Sequence, residues 1–324
     1  MLENSATALA HPNIALIKYW GDVDPELHLP ANDSLSMNLA ELVTRTSVSF
    51  DPERVSDQFS LNDLPMDGDE SGRVSKFLGR VRQLAGISTF ARVESHNNFP
   101  TSAGIASSAS GFAALSLAAS IAAGLELDEK ALSRLARTGS GSACRSVPGG
   151  FVEWQAGRAD VDSFAFSILP AEHWDLVDCI ALVNTAEKPT GSNLGHALAH
   201  TSPLQPARVA DTLRRLSLCR EAIWERDFAR LADVVELDSN LMHAVMFTSS
   251  PPLIYWQPAT LAVMHAVQNM RKAGVPACYT VDAGPNVHVL CPAAQHAEVA
   301  KQLLQLDGVI QVITAHPGGP AHLL

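Results

Sequence analysis

Four separated stretches of this chain gather residue types that can handle an anion and a proton. The richest is Pro100-Thr-Ser-Ala-Gly104-Ile-Ala-Ser107-Ser108-Ala109. Small side chains let the backbone approach a bulky anion, and the first N–H groups of a following helix, at its positive dipole end, would face phosphate oxygens. Ser107 and Ser108 add hydroxyls able to hold phosphate or an associated magnesium ion. The plainer alternative is a buried Ala/Ser-rich helix behind an ordinary loop. A second stretch, Gly139-Ser140-Gly141-Ser142-Ala143-Cys144-Arg145-Ser146-Val147-Pro148-Gly149-Gly150, sets hydroxyls and one guanidinium among glycines. Arginine stays charged where lysine need not, and suits a two-point grip on carboxylate; alone, such a run also reads as a flexible loop with a surface arginine. The third, Tyr279-Thr-Val-Asp282-Ala-Gly284-Pro285-Asn286, brings an aspartate to a strand end before a Gly-Pro turn. That carboxylate is either a turn residue bonded to nearby backbone or a base. The fourth, His11-Pro-Asn13-Ile-Ala-Leu-Ile-Lys18-Tyr19-Trp20-Gly21-Asp22, ends an apolar run on a lysine.

The elements that must position these side chains follow from pattern and punctuation. Residues 6–17 read as an edge strand leading into a loop at 18–24, and 44–50 as an alternating β-branched strand. A Gly/Pro/Asp-rich hairpin and loop at 51–72 precede a helix at 74–85 and a strand at 90–95. The loop 97–107 opens a small-residue helix running to about residue 123, then a second helix capped by Asp128 and closed by Gly139. The pattern loosens over 163–174, which sets a domain boundary near Ala171 and two domains, 1–171 and 172–324. The second half reads as a strand at 176–184, helices at 207–224, 227–246 and 258–272, strands at 277–281 and 287–291, a helix at 294–306 and a strand at 309–314. This is an α+β layer of the split βαβ kind. The stripe Val209, Leu213, Leu216 and Ile223 reads as a core face.

Composition excludes several classes. With 324 residues, 47% of them apolar and 18% charged, the chain has ample material for an ordered two-domain enzyme subunit. A formal charge of -11 and no Lys/Arg-rich run argue against nucleic-acid binding, so an anionic substrate needs a local cationic pocket. Five widely spaced cysteines without a C-x-x-C pair suggest neither a disulfide framework nor a zinc site. His196 and His200 have helical i, i+4 spacing but no H-E-x-x-H context. No membrane span or leader is read, and a cytoplasmic location is expected.

The phosphate-type stretch resembles the loop P-x-x-x-G-L-x-S-S-A of the GHMP kinase superfamily, with Ile105 in place of Leu. The other three resemble the mevalonate diphosphate decarboxylase family within it, through N-I-A-x-x-K-Y-W-G, the serine-rich run to GGFVEWQAG, and D-A-G-P-N. The resemblance implies a GHMP kinase fold: an N-terminal ribosomal-protein-S5-like domain and a C-terminal ferredoxin-like α/β sandwich. It implies ATP and Mg2+ as cofactors, a phosphorylated mevalonate as small-molecule partner, and a homodimer. By the same resemblance Asp282 sits against the substrate's 3-hydroxyl, Arg145 holds the C1 carboxylate, Asn13 buttresses that arginine, and Lys18 contacts phosphate. Tyr19, Ser140, Ser142, Lys188, Thr190 and Ser192 would line the substrate site; Pro100, Gly104, Ser107 and Ser108 would hold ATP, with the metal at Ser107 or Ser108. Two departures bear on the substrate. Asp22 stands where the family pattern K-Y-W-G-K has its second lysine, and the stretch 184–196 offers Lys188 but no arginine. This looks more like the phosphomevalonate decarboxylases, so mevalonate 5-phosphate is expected over the diphosphate, with isopentenyl phosphate as product. Arg208, His196 or Lys188 could compensate for the missing cations. The competing functions are a diphosphomevalonate decarboxylase and a small-molecule kinase that stops at the phosphorylated alcohol.

Overall fold

The computed structural model describes residues 4–100, 107–186 and 191–324. The chain opens with β1 (Ser5–Ala10) and β2 (Asn13–Ile17). These are not one edge strand: Pro12 lacks a ladder N–H, the chain breaks there, and the two strands enter different sheets. A ribbon of β3 (Asp22–Asp24) and β4 (Leu29–Pro30) follows, then β5 (Ser34–Asn38), β6 (Thr44–Asp51) and the hairpin β7 (Gln58–Leu61) to β8 (Leu64–Pro65). Next come α1 (Gly68–Ala85), β9 (Phe90–Asn97), α2 (Ser107–Ala122), α3 (Glu129–Arg137), β10 (Phe151–Gln155) and β11 (Phe164–Leu169). Where the sequence pattern loosens, β11 is a true strand; it lies at a sheet edge, half-buried, so its apolar signal is diluted.

The second half holds β12 (Leu176–Leu182), α4 (Ser192–Leu198), α5 (Gln205–Ala210), α6 (Thr212–Glu225), α7 (Phe228–Thr248) and α8 (Pro258–Lys272). It closes with β13 (Cys278–Val281), β14 (Val287–Pro292), α9 (His296–Leu304), β15 (Gln311–Ala315) and β16 (His322–Leu323). The helix read over 207–224 is broken at Asp211 into α5 and α6. Of the expected core stripe, Leu216 and Ile223 are fully buried and Val209 is half-buried, but Leu213 is 66% exposed, and Arg208, Thr212, Arg215 and Cys219 face inward beside the two buried members.

Three sheets carry the architecture, in the orders β16-β1-β6-β9-β7-β8, β11-β10-β5-β2 and β13-β14-β12-β15, the last antiparallel throughout. Helix α2 is almost all Ala and Ser on its buried side, which lets its backbone lie close over β1 and β6. One apolar cluster joins Ile14 and Leu16 of β2, Leu35 of β5, Ile180 and Leu182 of β12, and Leu216 and Val235 of α6 and α7. At about 1.5–3 kcal/mol per fully buried aliphatic side chain, this seam locks the second and third sheets together. The C-terminal ends of β2 and β13 meet along it, bringing Lys18 to Asp282. The whole is the α+β arrangement expected from the sequence. Among the described residues, no helix is long and apolar enough to cross a membrane.

Candidate active site

Lys18 and Asp282 are 264 positions apart in sequence, yet Lys18 Nζ donates to Asp282 Oδ1 at 2.5 Å. The lysine side chain is 1% exposed and the aspartate 30%, so the pair is enclosed on one side and open to a ligand on the other. Burial by itself would raise the Asp282 pKa; the Lys18 ammonium, helped by His288 and Arg145, outweighs it and holds the carboxyl below its ordinary value. The turn after Asp282 is tied down by Asn286. Its Oδ1 accepts from Val183 N at 2.7 Å and Asn184 N at 3.1 Å, fastening the turn to the end of β12.

The Lys18 main chain is gripped as firmly as its side chain. Its N–H donates to Asp238 Oδ2 at 2.6 Å, and Asp238 Oδ1 accepts from Arg215 Nε at 2.7 Å in a fully buried ion pair. Its carbonyl accepts from Arg208 Nη2 at 2.7 Å and Asn32 Nδ2 at 3.0 Å. The sequence reading did not single out Asp238, Arg215 or Asn32. The available signal was opposite charge on the inward faces of two successive helices, since a buried charge must be paired.

Arg145 lies in the short 3-10 helix Gly141–Ser146 and is 3% exposed. Its Nη1 donates to Ser34 Oγ at 2.7 Å and its Nε to Asn13 Oδ1 at 3.3 Å, over the face of Trp154 at 5.8 Å. Asn13 Nδ2 in turn donates to Ser146 Oγ at 2.8 Å and to the Ser142 carbonyl at 3.1 Å, so the asparagine does lie against the arginine. Burial lowers the Arg145 pKa, partly offset by Cys144 and Asp282, but a guanidinium stays charged. Among the described residues two of its five N–H donors are engaged, leaving Nη2 and part of Nη1 for an end-on carboxylate.

Tyr19 donates its hydroxyl to Asp22 Oδ1 and packs its ring against Trp154 and His196, with centroids 4.7 and 4.0 Å apart. Asp22 is nearly buried, with His28 Nδ1 3.4 Å from its other oxygen. Of the three groups suggested as compensation, two lie within the described residues. Arg208 donates through Nη1 and Nη2 to the Trp20 and Lys18 carbonyls and to Asn32 Oδ1, and burial pulls His196 down to about 4, leaving it neutral as it accepts from Gly21 N. Lys188 and Thr190, with Gly104, lie outside the described residues.

Ser107 and Ser108 open α2, and Ser108 Oγ is 3.2 Å from Ser140 Oγ, bringing the second motif to the first. A cavity of about 120 Å³ adjoins them, walled by Phe59, Arg73, Asn97, Ser107, Ser108 and Phe112. A helix start with two hydroxyls and an arginine beside an apolar-walled hollow fits a nucleotide triphosphate and its metal. Among the described residues no group of three His, Cys, Asp or Glu side chains could hold a metal ion on its own. Ser142 is half-buried beside Arg145, whereas Pro100 and Ser192 are exposed at the edges of the undescribed segments.

Residues 10–165 match the diphosphomevalonate decarboxylase-like N-terminal domain, and residues 179–316 the mevalonate 5-diphosphate decarboxylase C-terminal domain. A diphosphomevalonate decarboxylase from Ganoderma lucidum is 37% identical over 93% of this chain and 81% of that protein. A phosphomevalonate decarboxylase from Haloferax volcanii is 34% identical over 98% and 97%. A solved structure of MDDEF in complex with MVAPP, AMPPCP and magnesium is 42% identical, covers 99% of this chain and 98% of that chain, and superposes with a TM-score of 0.93. Two domain matches spanning most of the chain, relatives above 30% identity over nearly its whole length and a common fold all agree: this chain belongs to the diphosphomevalonate decarboxylase family, with the GHMP kinase fold.

Proposed function

We propose that the protein uses ATP to decarboxylate mevalonate 5-phosphate, forming isopentenyl phosphate, ADP, phosphate and carbon dioxide. Hydroxide is a poor leaving group, so the 3-hydroxyl must first be phosphorylated. Asp282, kept ionised beside Lys18, orients that hydroxyl and takes its proton as the oxygen bonds to the γ-phosphorus. Magnesium, when bound with the nucleotide at Ser107 or Ser108, neutralises phosphate charge. The C1–C2 bond then breaks, its pair forming the C2–C3 double bond as C1 leaves as carbon dioxide, and the C3–O bond breaks to release phosphate. Lys18 faces the charge developing on that leaving group. Arg145 positions the carboxylate; a strong ion pair to C1 would hold back its loss, so orientation is the part it plays.

The choice of the monophosphate rests on Asp22. A nearly buried carboxylate stands beside Tyr19 where the family pattern has a lysine, and Arg208 and His196 supply no replacement charge. An unneutralised anion in an enclosed site is costly, and a monophosphate carries less charge than a diphosphate. One observation favours the diphosphate: Arg73, Lys76 and Arg80 line a cavity beyond Asp22. Specificity constants for the two substrates, read as carbon dioxide release, decide between them. A higher kcat/KM for the monophosphate is expected, a higher one for the diphosphate overturns the choice, and ADP formed without carbon dioxide indicates a kinase. A division near Ala171, a homodimer and a cytoplasmic location belong to the same proposal.

A further inference from the structure

Lys18 and Asp282 each follow directly on an edge strand, β2 in the order β11-β10-β5-β2 and β13 in the order β13-β14-β12-β15. An edge strand turns main-chain N–H and C=O groups outward, and where these are buried they need partners. Here one helix, α7, packs against both strands and supplies side-chain partners for them. Lys18 N donates to Asp238 Oδ2, Tyr279 N to Glu236 Oε1 at 3.3 Å, and Val281 N to Ser239 Oγ at 3.0 Å. The Val281 carbonyl accepts from His243 Nε2 at 3.2 Å, with Ser239 Oγ 3.4 Å away. Glu236, Ser239 and His243 recur at i, i+3 and i+7, on one face of the helix. All four side chains are buried, at positions that a helix facing a core ordinarily gives to apolar residues.

We propose that Ser239 and His243 are positioning residues for the reaction, holding the Val281 N–H and C=O so that the Asp282 carboxylate stands correctly against Lys18 and the substrate hydroxyl. This rests on the reading of Asp282 as the base for phosphorylation. The Val281 carbonyl belongs to the planar peptide group that leads into Asp282, so fixing its oxygen fixes the Asp282 Cα. Asn286 ties the other end of the turn to β12, which leaves Asp282 held from two sides. The His243 ring is itself fixed, with the Trp256 and Phe247 centroids 4.8 and 6.1 Å away. Burial pulls it to about 3, so the ring is neutral, and its one N–H lies on Nε2 to meet the carbonyl. Nδ1 is enclosed and, among the described residues, without a partner. A hydrocarbon would fill this space with no enclosed, unpartnered nitrogen, so the donor at Nε2 is what the imidazole contributes there. Asp238 holds Lys18 N in the same way, but its pair with Arg215 also ties α7 to α6, so its loss would not isolate positioning.

The test is steady-state kinetics of His243→Leu, His243→Gln and Ser239→Ala beside Asp282→Asn, with thermal melting as a check on folding. Leucine fills the space of the ring without a donor, whereas glutamine carries an Nε2 that reaches as far as that of the imidazole. A displaced carboxylate should lower kcat about 10- to 100-fold in His243→Leu and Ser239→Ala, with KM for ATP and for the phosphorylated substrate changed less than about threefold. His243→Gln should recover at least part of the loss. Parent-like kcat in both His243→Leu and Ser239→Ala, with Asp282→Asn inactive, overturns the positioning role and leaves Asp282 as the base. Parent-like kcat in Asp282→Asn overturns both. An equal loss in the leucine and glutamine variants, or KM values that rise in step with the loss, would show loosened packing and also overturns the assignment. If Ser239→Ala does not fold, the two His243 variants decide by the same comparison.

Discussion

At the scale of single residues, the balance around Asp282 is the central fact. Enclosure would raise the pKa of a carboxyl, and the adjacent Lys18 ammonium reverses that. An aspartate shown only by its place before a Gly-Pro turn could have been a turn residue; its side chain instead faces a buried cation and keeps an open edge. Asp282→Asn retains the shape and removes the charge. We expect kcat to fall by about 10³-fold, within the usual range for a lost general base, with nucleotide affinity largely kept. Near-parent turnover with a titrated nucleotide site would remove Asp282 from the chemistry.

At the scale of elements, the short 3-10 helix Gly141–Ser146 performs two tasks, holding Arg145 against Asn13 and leaving room for Tyr19. A Cβ on Gly141 would stand 2.6 Å from Tyr19 Oη and 2.7 Å from its Cε1. The ring cannot retreat, being packed between Trp154 and His196. Gly141→Ala is therefore expected to displace Tyr19 and Asp22 together, cutting kcat/KM for the phosphorylated substrate by at least about tenfold and costing about 1–3 kcal/mol of stability as an overpacked site. Parent-like kcat/KM and an unshifted denaturant midpoint would show that Tyr19 is looser than this packing implies.

At the scale of the whole molecule, two histidines are enclosed in the neutral form. Burial pulls His196 from its ordinary 6.5 to about 4, against the opposing pull of Asp22, and pulls His243, which faces the Val281 carbonyl, to about 3. The unfolded chain therefore binds more protons than the folded one below about pH 6.5, so stability rises with pH through that window and is lost as pH falls. Each histidine contributes on the order of 2 kcal/mol to the difference between pH 7.5 and pH 5. The denaturant midpoint should drop over that interval, and should drop less in His196→Gln. The Asp282 window lies below its ordinary 3.8 and does not interfere. A midpoint flat between pH 7.5 and pH 5 would mean that these rings are solvated or charged in the folded protein.

The sequence by itself determined the motif residues, their chemical types and the helices whose boundaries are local events. Asp128 caps α3 by accepting from Ala131 N, Asp227 caps α7 by accepting from Arg230 N, and α8 runs over the residues 258–272 that its pattern marks. Each of these depends on atoms a few positions apart, and local spacing is what a sequence displays. Only the tertiary structure decided that β1 and β2 part into separate sheets, that Arg208 turns inward to the Lys18 carbonyl, that Asp22 pairs with Tyr19 and His28, and that α1 brings a cationic face to the same hollow. Periodicity reports which face of an element is buried, not what it is buried against. A pairing across 264 positions between Lys18 and Asp282 is set by how three sheets stack on a shared core, and that information lies in the packing of many side chains at once.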